Sequence, residues 1–183
     1  MGPVCCVPFM DCRHSVASMR HAVSGSLRIN DTEYRFQNGV GYLEGDRGCS
    51  FPRQYAWTQC FFESGSLMLS VADIPLGTLH FTGIIGVIQL DGHENSLATY
   101  LGARAEKIRD GEIVVRQGKM TLTATLLEES AHTLKAPQTG VMARNIRESV
   151  TCTGRYRLDI GQQTVLSMET TKDAFEFEYP RKG

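Results

Sequence analysis

The sequence predicts an antiparallel all-β domain. Three observations lead there: apolar and polar residues alternate over several short segments, turn-forming pairs recur between them, and no segment carries a long apolar stripe of 3.6-residue period. Successive side chains on a strand point to opposite faces, so strict alternation marks a strand with one buried and one solvated face.

In chain order, Leu27 and Ile29, then Asn30 and Asp31, then Tyr34 and Phe36 read as a hairpin, because Asn and Asp tolerate the left-handed backbone of tight turns. Residues 79–90 carry apolar side chains on both faces, as though one side met packed core and the other an apolar lumen or partner. Asp91-Gly92 and Asp110-Gly111 signal further turns. Residues 95–107 are the best helical candidate, but Gly102 interrupts them and they read equally well as two strands. Met120, Leu122, Ala124 and Leu126 alternate with Lys119, Thr121, Thr123 and Thr125. Tyr156, Leu158 and Ile160 alternate with Arg155, Arg157 and Asp159. Phe175, Phe177 and Tyr179 alternate with Glu176 and Glu178 before Pro180 stops the strand. Many short antiparallel strands with Gly-rich turns make a sandwich or a barrel, and a barrel both removes exposed edges and holds one small ligand.

Composition narrows the function classes. The 183 residues and 42% hydrophobic content suit one domain, residues 1–183, with a proper core. With 19 Lys and Arg against 20 Asp and Glu, and no long block of either sign, nucleic acid is not an expected partner. The most apolar segment, residues 81–90, is short and broken by Gly83 and Gly86, so no integral membrane segment is expected. The start MGPVCCVPFMDCRH has neither a basic leading region nor an apolar run, which leaves the cytoplasm, at most peripheral to a membrane, as the expected location. Cys5, Cys6, Cys12, Cys49, Cys60 and Cys152 are expected as thiols, in a chain too large to need disulfide staples and without paired Cys-x-x-Cys spacing for zinc. No metal is expected.

The stretch GYLEGDRGCSFPRQYAWTQ, residues 41–59, packs charge, glycine and aromatic residues together. On strand parity Tyr42, Glu44 and Asp46 share one face, and Tyr55, Trp57, Gln59 and Phe61 share another. Aromatic rings with polar tips aimed one way suit a ligand cavity. The pattern Gly-Tyr-x-Glu-x-Asp-x-Gly-x-Ser-Phe-Pro, followed by Tyr-x-Trp-x-Gln, resembles the signature of the tocopherol cyclase family. The similarity continues through SLMLSVADIP (residues 66–75), HFTG (residues 80–83) and FEFEY (residues 175–179).

The resemblance implies a lipocalin-like antiparallel β-barrel with little helix. It also implies a chain of about half the family's length, matching the C-terminal of two lipocalin-like halves, with residues 2–24 resembling the junction between them. Family chemistry adds a proton to an alkene of a prenylated hydroquinone and lets a phenolic oxygen capture the cation, closing a chromanol ring without redox change or cofactor. Such chemistry needs a strong acid in a dry pocket, and Glu44 with Asp46 on one face can supply it if burial or their mutual repulsion keeps one protonated. Trp57 and Tyr55 would stabilise the cation through their ring faces, Gln59 would orient the phenol, and Tyr42, Arg47 and Phe61 would complete the ligand site. His80, beside Leu79 and Phe81, is a further acid/base candidate.

Each residue also has a plainer reading. Glu44 and Asp46 suit an exposed turn paired with Arg47 or Arg53; Tyr55, Trp57 and Phe61 suit core packing; His80 suits a neutral histidine bonded to backbone. His14, His21 and His132 have no partner that the sequence identifies, and His93 follows a turn. Ser50 lacks the Gly-x-Ser-x-Gly elbow, because Pro52 stands where glycine is needed. The expected partner is therefore a small apolar ligand, a prenylated aromatic or an isoprenoid. Three functions follow: a tocopherol-cyclase-like isomerase, a non-catalytic lipid or isoprenoid carrier, and a half that homodimerises or pairs with an N-terminal half.

Overall fold

A computed structural model describes residues 12–76 and 78–180; Cys5, Cys6 and the first part of the 2–24 segment lie outside the described residues. Two long strands come first, β1 (Cys12–Ile29) and β2 (Thr32–Gly48), followed by β3 (Tyr55–Phe62), β4 (Gly65–Leu76), β5 (Leu79–Leu90) and β6 (His93–Ala98). A 3-10 turn at Thr99–Leu101 leads to β7 (Arg104–Arg109), β8 (Glu112–Gln117), β9 (Met120–Glu128), β10 (His132–Gln138), β11 (Val141–Ile160) and β12 (Gln163–Phe177). Among the described residues all strand pairings are antiparallel, as expected, and there is no α-helix. The expected turns fall where Asn30, Asp91 and Asp110 adopt φ of 52°, 50° and 55°. The ambiguous 95–107 segment resolves into β6 and β7, with Gly102 at φ 89° closing the 3-10 turn.

β1 and β2 form a hairpin of their own, and the other ten strands form one sheet in the order β6-β5-β4-β3-β12-β11-β9-β8-β7, with β10 also paired to β11. The sheet curls so that one face turns inward. Ala56 and Cys60 of β3, Leu67 and Leu69 of β4, Leu122 of β9 and Tyr156 of β11 meet there, all at 0% exposure. The ladder does not close into a barrel. Across the seam, Gln117 of β8 uses its side-chain amide as a strand would: Oε1 accepts from Ala98 N at 3.0 Å and Nε2 donates to Ser96 O at 2.9 Å.

Inside the curl, among the packed side chains, lies a buried carboxyl, Asp173 of β12, at 0% exposure. It fits because Gly154 opposite has no side chain; a Cβ there would lie 1.9 Å from Asp173 Oδ2. Thr58 donates to Asp173 Oδ1 at 3.1 Å and also hydrogen-bonds Tyr156, while Oδ2 has no partner. Burial outweighs these bonds and pushes the Asp173 carboxyl up to about 7. The neighbouring thiols Cys60 and Cys152 are in no disulfide, and burial raises both.

Removing the seam amide leaves a backbone donor and a backbone acceptor without their partner, so Gln117→Leu should cost about 1–3 kcal/mol in urea unfolding. Asp173 holds its proton more tightly folded than unfolded, so its stabilisation is complete below the ordinary value of 3.8 and is lost as pH rises through about 7. Melting temperature should therefore fall over that window, and Asp173→Asn should flatten the fall; an unchanged slope would place a different group in control.

Candidate functional site

The outer face of β3, β4 and β5 is apolar as well, as the two-sided pattern of β5 predicts. Antiparallel register lines up Glu176, Trp57, Ser70 and Ile85 across β12, β3, β4 and β5, with Tyr55, Ala72 and Gly83 in the next row. The β1–β2 hairpin lies against this face: Arg20 donates to the carbonyls of Phe62 and Gly65 at 2.9 Å, and Met19 is 8% exposed. Between hairpin and sheet is a cavity of about 140 Å³. Its apolar walls come from Trp57, Ile74, Phe81, Ile85 and the Phe51–Pro52 loop, and Gly83 keeps it open, since a Cβ there would stand 2.8 Å from the Ile74 side chain. The site thus lies outside the curl, not in a central lumen.

Three carboxylates and one histidine line this cavity. Glu44 Oε2 accepts from the Tyr42 hydroxyl at 2.5 Å and from Trp57 Nε1 at 3.1 Å, and His14 Nε2 lies 3.1 Å from the same oxygen. That last contact has the distance of an ion pair without hydrogen-bond alignment. His14 Nδ1 bonds Asp46 Oδ1 at 3.0 Å. Burial works against the imidazolium, but the hydrogen bond to Asp46 and the charges of Asp46 and Glu44 outweigh it and hold His14 up at about 9. Glu44 and Asp46 therefore answer to His14, and neither Arg47 nor Arg53 pairs with them among the described residues.

The third carboxyl is Glu176. Tyr55, 7% exposed, donates its hydroxyl to Glu176 Oε2 at 2.5 Å. Burial, reinforced by the charges of Glu148, Glu44 and Asp46, outweighs that bond and pushes Glu176 up to about 7. Burial and the Glu176 charge likewise raise the Tyr55 phenol. Arg144 fixes this corner: it donates to the carbonyls of Pro52 and Arg53, pairs with Glu178 at 3.1 Å, and lies 5.7 Å from the Tyr55 ring centroid.

Of the residues singled out in the sequence, Glu44, Asp46, Tyr55 and Trp57 line the cavity, and Tyr42 supports it from behind Glu44, its ring 6.4 Å from Trp57. Gln59 and Phe61 share the face of β3 but stand further along the strand, outside the lining; Gln59 is buried with its amide nitrogen unpartnered. Arg47 is exposed and lies outside it too. His80 is also elsewhere: its side chain is 56% exposed and bonds Asp73 at 3.0 Å, on the wall of a neighbouring cleft. His14 and Glu176 are the two residues that sequence reading missed. The alternation of β12 contained Glu176 but placed it on a solvated face, and only the covering hairpin changes that.

Comparison with protein-family models, curated proteins and solved structures finds no match for this chain.

The His14 stabilisation is complete below the ordinary value of 6.5 and is lost as pH rises through about 9, because the folded state holds the proton more tightly. NMR titration of the His14 ring should show a midpoint near 9, and Asp46→Asn should move it down; a midpoint that stays put in the variant would mean that Asp46 does not hold the proton.

Proposed function

We propose that the chain is an acid catalyst acting on an alkene-bearing apolar ligand, in the manner that its resemblance to the tocopherol cyclase family implies. One observation carries the reading: Glu176, a carboxyl that keeps its proton near neutral pH, lines an apolar cavity with its Oε2 engaged by Tyr55. This replaces Glu44 and Asp46 as the proton source. Glu44 is occupied as an acceptor by Tyr42 and Trp57, and Asp46 by His14, so these two serve better as negative charge than as acids.

The chemistry runs within one substrate. The Glu176 proton adds to one alkene carbon, the π electrons form the new C–H bond, and the other carbon becomes cationic. The face of Trp57 and the carboxylates of Glu44 and Asp46 stabilise that charge. A phenolic oxygen of the same molecule closes on the cation, and its proton returns to Glu176. The result is an isomerisation that consumes no cofactor. A cavity of about 140 Å³ holds a ring-sized part of such a ligand, since a dry cavity of about 150 Å³ accepts benzene.

A carrier that uses the same cavity without the acid is the alternative, and one substitution separates the two. In Glu176→Gln the enzyme should lose at least about a hundredfold in the rate of chromanol formation from a prenylated hydroquinone while keeping its affinity for the ligand. No turnover by the unaltered protein, with binding intact, would leave the carrier.

A separate observation favours the reading that this all-β unit works with a second one. The tip of the β1–β2 hairpin projects with Leu27, Ile29, Tyr34 and Phe36 on one face, at 51%, 52%, 48% and 40% exposure. Exposed apolar surface of this kind marks an interaction face. A second copy or an N-terminal half would cover it.

A further inference from the structure

The cavity is smaller than the 300–1,000 Å³ usual for a drug-sized ligand, so most of a prenylated or similarly long molecule must lie outside it. The adjoining space is a cleft of about 530 Å³. The two share Cys12, Phe51, Pro52 and Ile74 in their walls, so the cleft adjoins the cavity at the Phe51–Pro52 loop.

Their charges are opposite. The cavity sets the carboxylates of Glu44 and Asp46 against His14, beside the protonated Glu176. The cleft sets Arg53 and Arg144 against Asp73, with His80 bonded to that Asp. Arg144 already has Glu178 and two carbonyls, whereas the exposed Arg53 has no carboxylate within ion-pair distance among the described residues. The cleft's apolar side, Phe51, Pro52, Ile74, Pro75 and Pro137, faces these polar groups, giving it the character of an amphiphile site.

We propose that the cleft is a second subsite that binds the anionic end of an amphiphilic ligand, a carboxylate on Arg53, while the ligand's apolar ring occupies the inner cavity. The inference rests on the inner cavity being the ligand site proposed above, and adds the polarity and direction of the ligand. A carboxylate pointed inward would meet the like charges of Glu44 and Asp46; pointed outward it meets an unpaired guanidinium. The opposite polarity, an amine in the cavity, is the competing arrangement.

Calorimetric titration of the full chain with ω-phenylhexanoate, phenylhexanol and phenylhexylamine separates these cases. The acid should bind about three- to five-fold tighter than the alcohol, as a partly exposed ion pair allows, and the advantage should shrink with added salt. Arg53→Glu should abolish that advantage and leave the alcohol's affinity unchanged, which also shows the variant to be folded. If the alcohol binds but the acid gains nothing, or gains equally in Arg53→Glu, the anionic subsite is wrong while the cavity reading stands. Tighter binding of the amine than of the acid reverses the proposed polarity and overturns the inference. No binding of any of the three removes the cavity reading itself.

Discussion

One carboxylate oxygen ties the two layers of this protein together. Glu44 of β2 receives the Trp57 indole N–H from β3 and the Tyr42 hydroxyl from its own strand, and contacts His14 of β1. The hairpin has no backbone ladder to the main sheet, so its seat depends on side chains: this charge-assisted contact at one end and the Arg20 clip on the β3–β4 turn at the other. The cavity exists because the hairpin is held off the sheet by the Trp57 ring and charged groups instead of collapsing onto Ile85 and Phe81.

Three acids of the same kind meet different fates. Glu44 is surrounded by donors and works as an acceptor. Glu176, opposite Trp57 in the β3–β12 register, has one donor and the charges of Glu148, Glu44 and Asp46 acting on it, so it holds its proton. Asp173 is three residues earlier on β12; the odd number puts it on the opposite face, inside the filled curl, where burial does the same. Burial keeps Glu176 and Asp173 as acids, and strand parity on β12 decides which layer each of those two serves.

Parity was legible in the sequence and reach was not. Alternation gave the β9, β11 and β12 strands, the turn residues gave the hairpin and its tip, and the two-sided apolar pattern of β5 foretold that both faces of that strand would be covered. Parity also placed Tyr42, Glu44 and Asp46 together, and Tyr55 with Trp57. Sharing a face is weaker than sharing a cavity, however: at about 3.3 Å per residue, Phe61 stands some 13 Å beyond Trp57 along β3. Residues whose roles depend on register between distant segments were the ones missed. His14 meets Glu44 and Asp46 across the hairpin, and Glu176 meets Tyr55 across 121 residues, pairings that no local pattern encodes. His80 lies outside the cavity, since its apolar neighbours in sequence sit at a strand end where the ring turns outward to Asp73.

The filled curl separates fold stability from the site. In a barrel with a ligand lumen, core packing and binding compete for the same volume. Here Leu67, Leu122, Tyr156 and their neighbours are buried inside the curl, and the candidate cavity lies on the reverse side of β3, β4 and β5. Opening the seam that Gln117 bridges would loosen β6 against β8 without uncovering the cavity, whereas loosening the hairpin would remove the cavity's roof and leave the core in place. The shape and the charge of the site therefore depend on the hairpin, and the hairpin on the few contacts that surround Glu44.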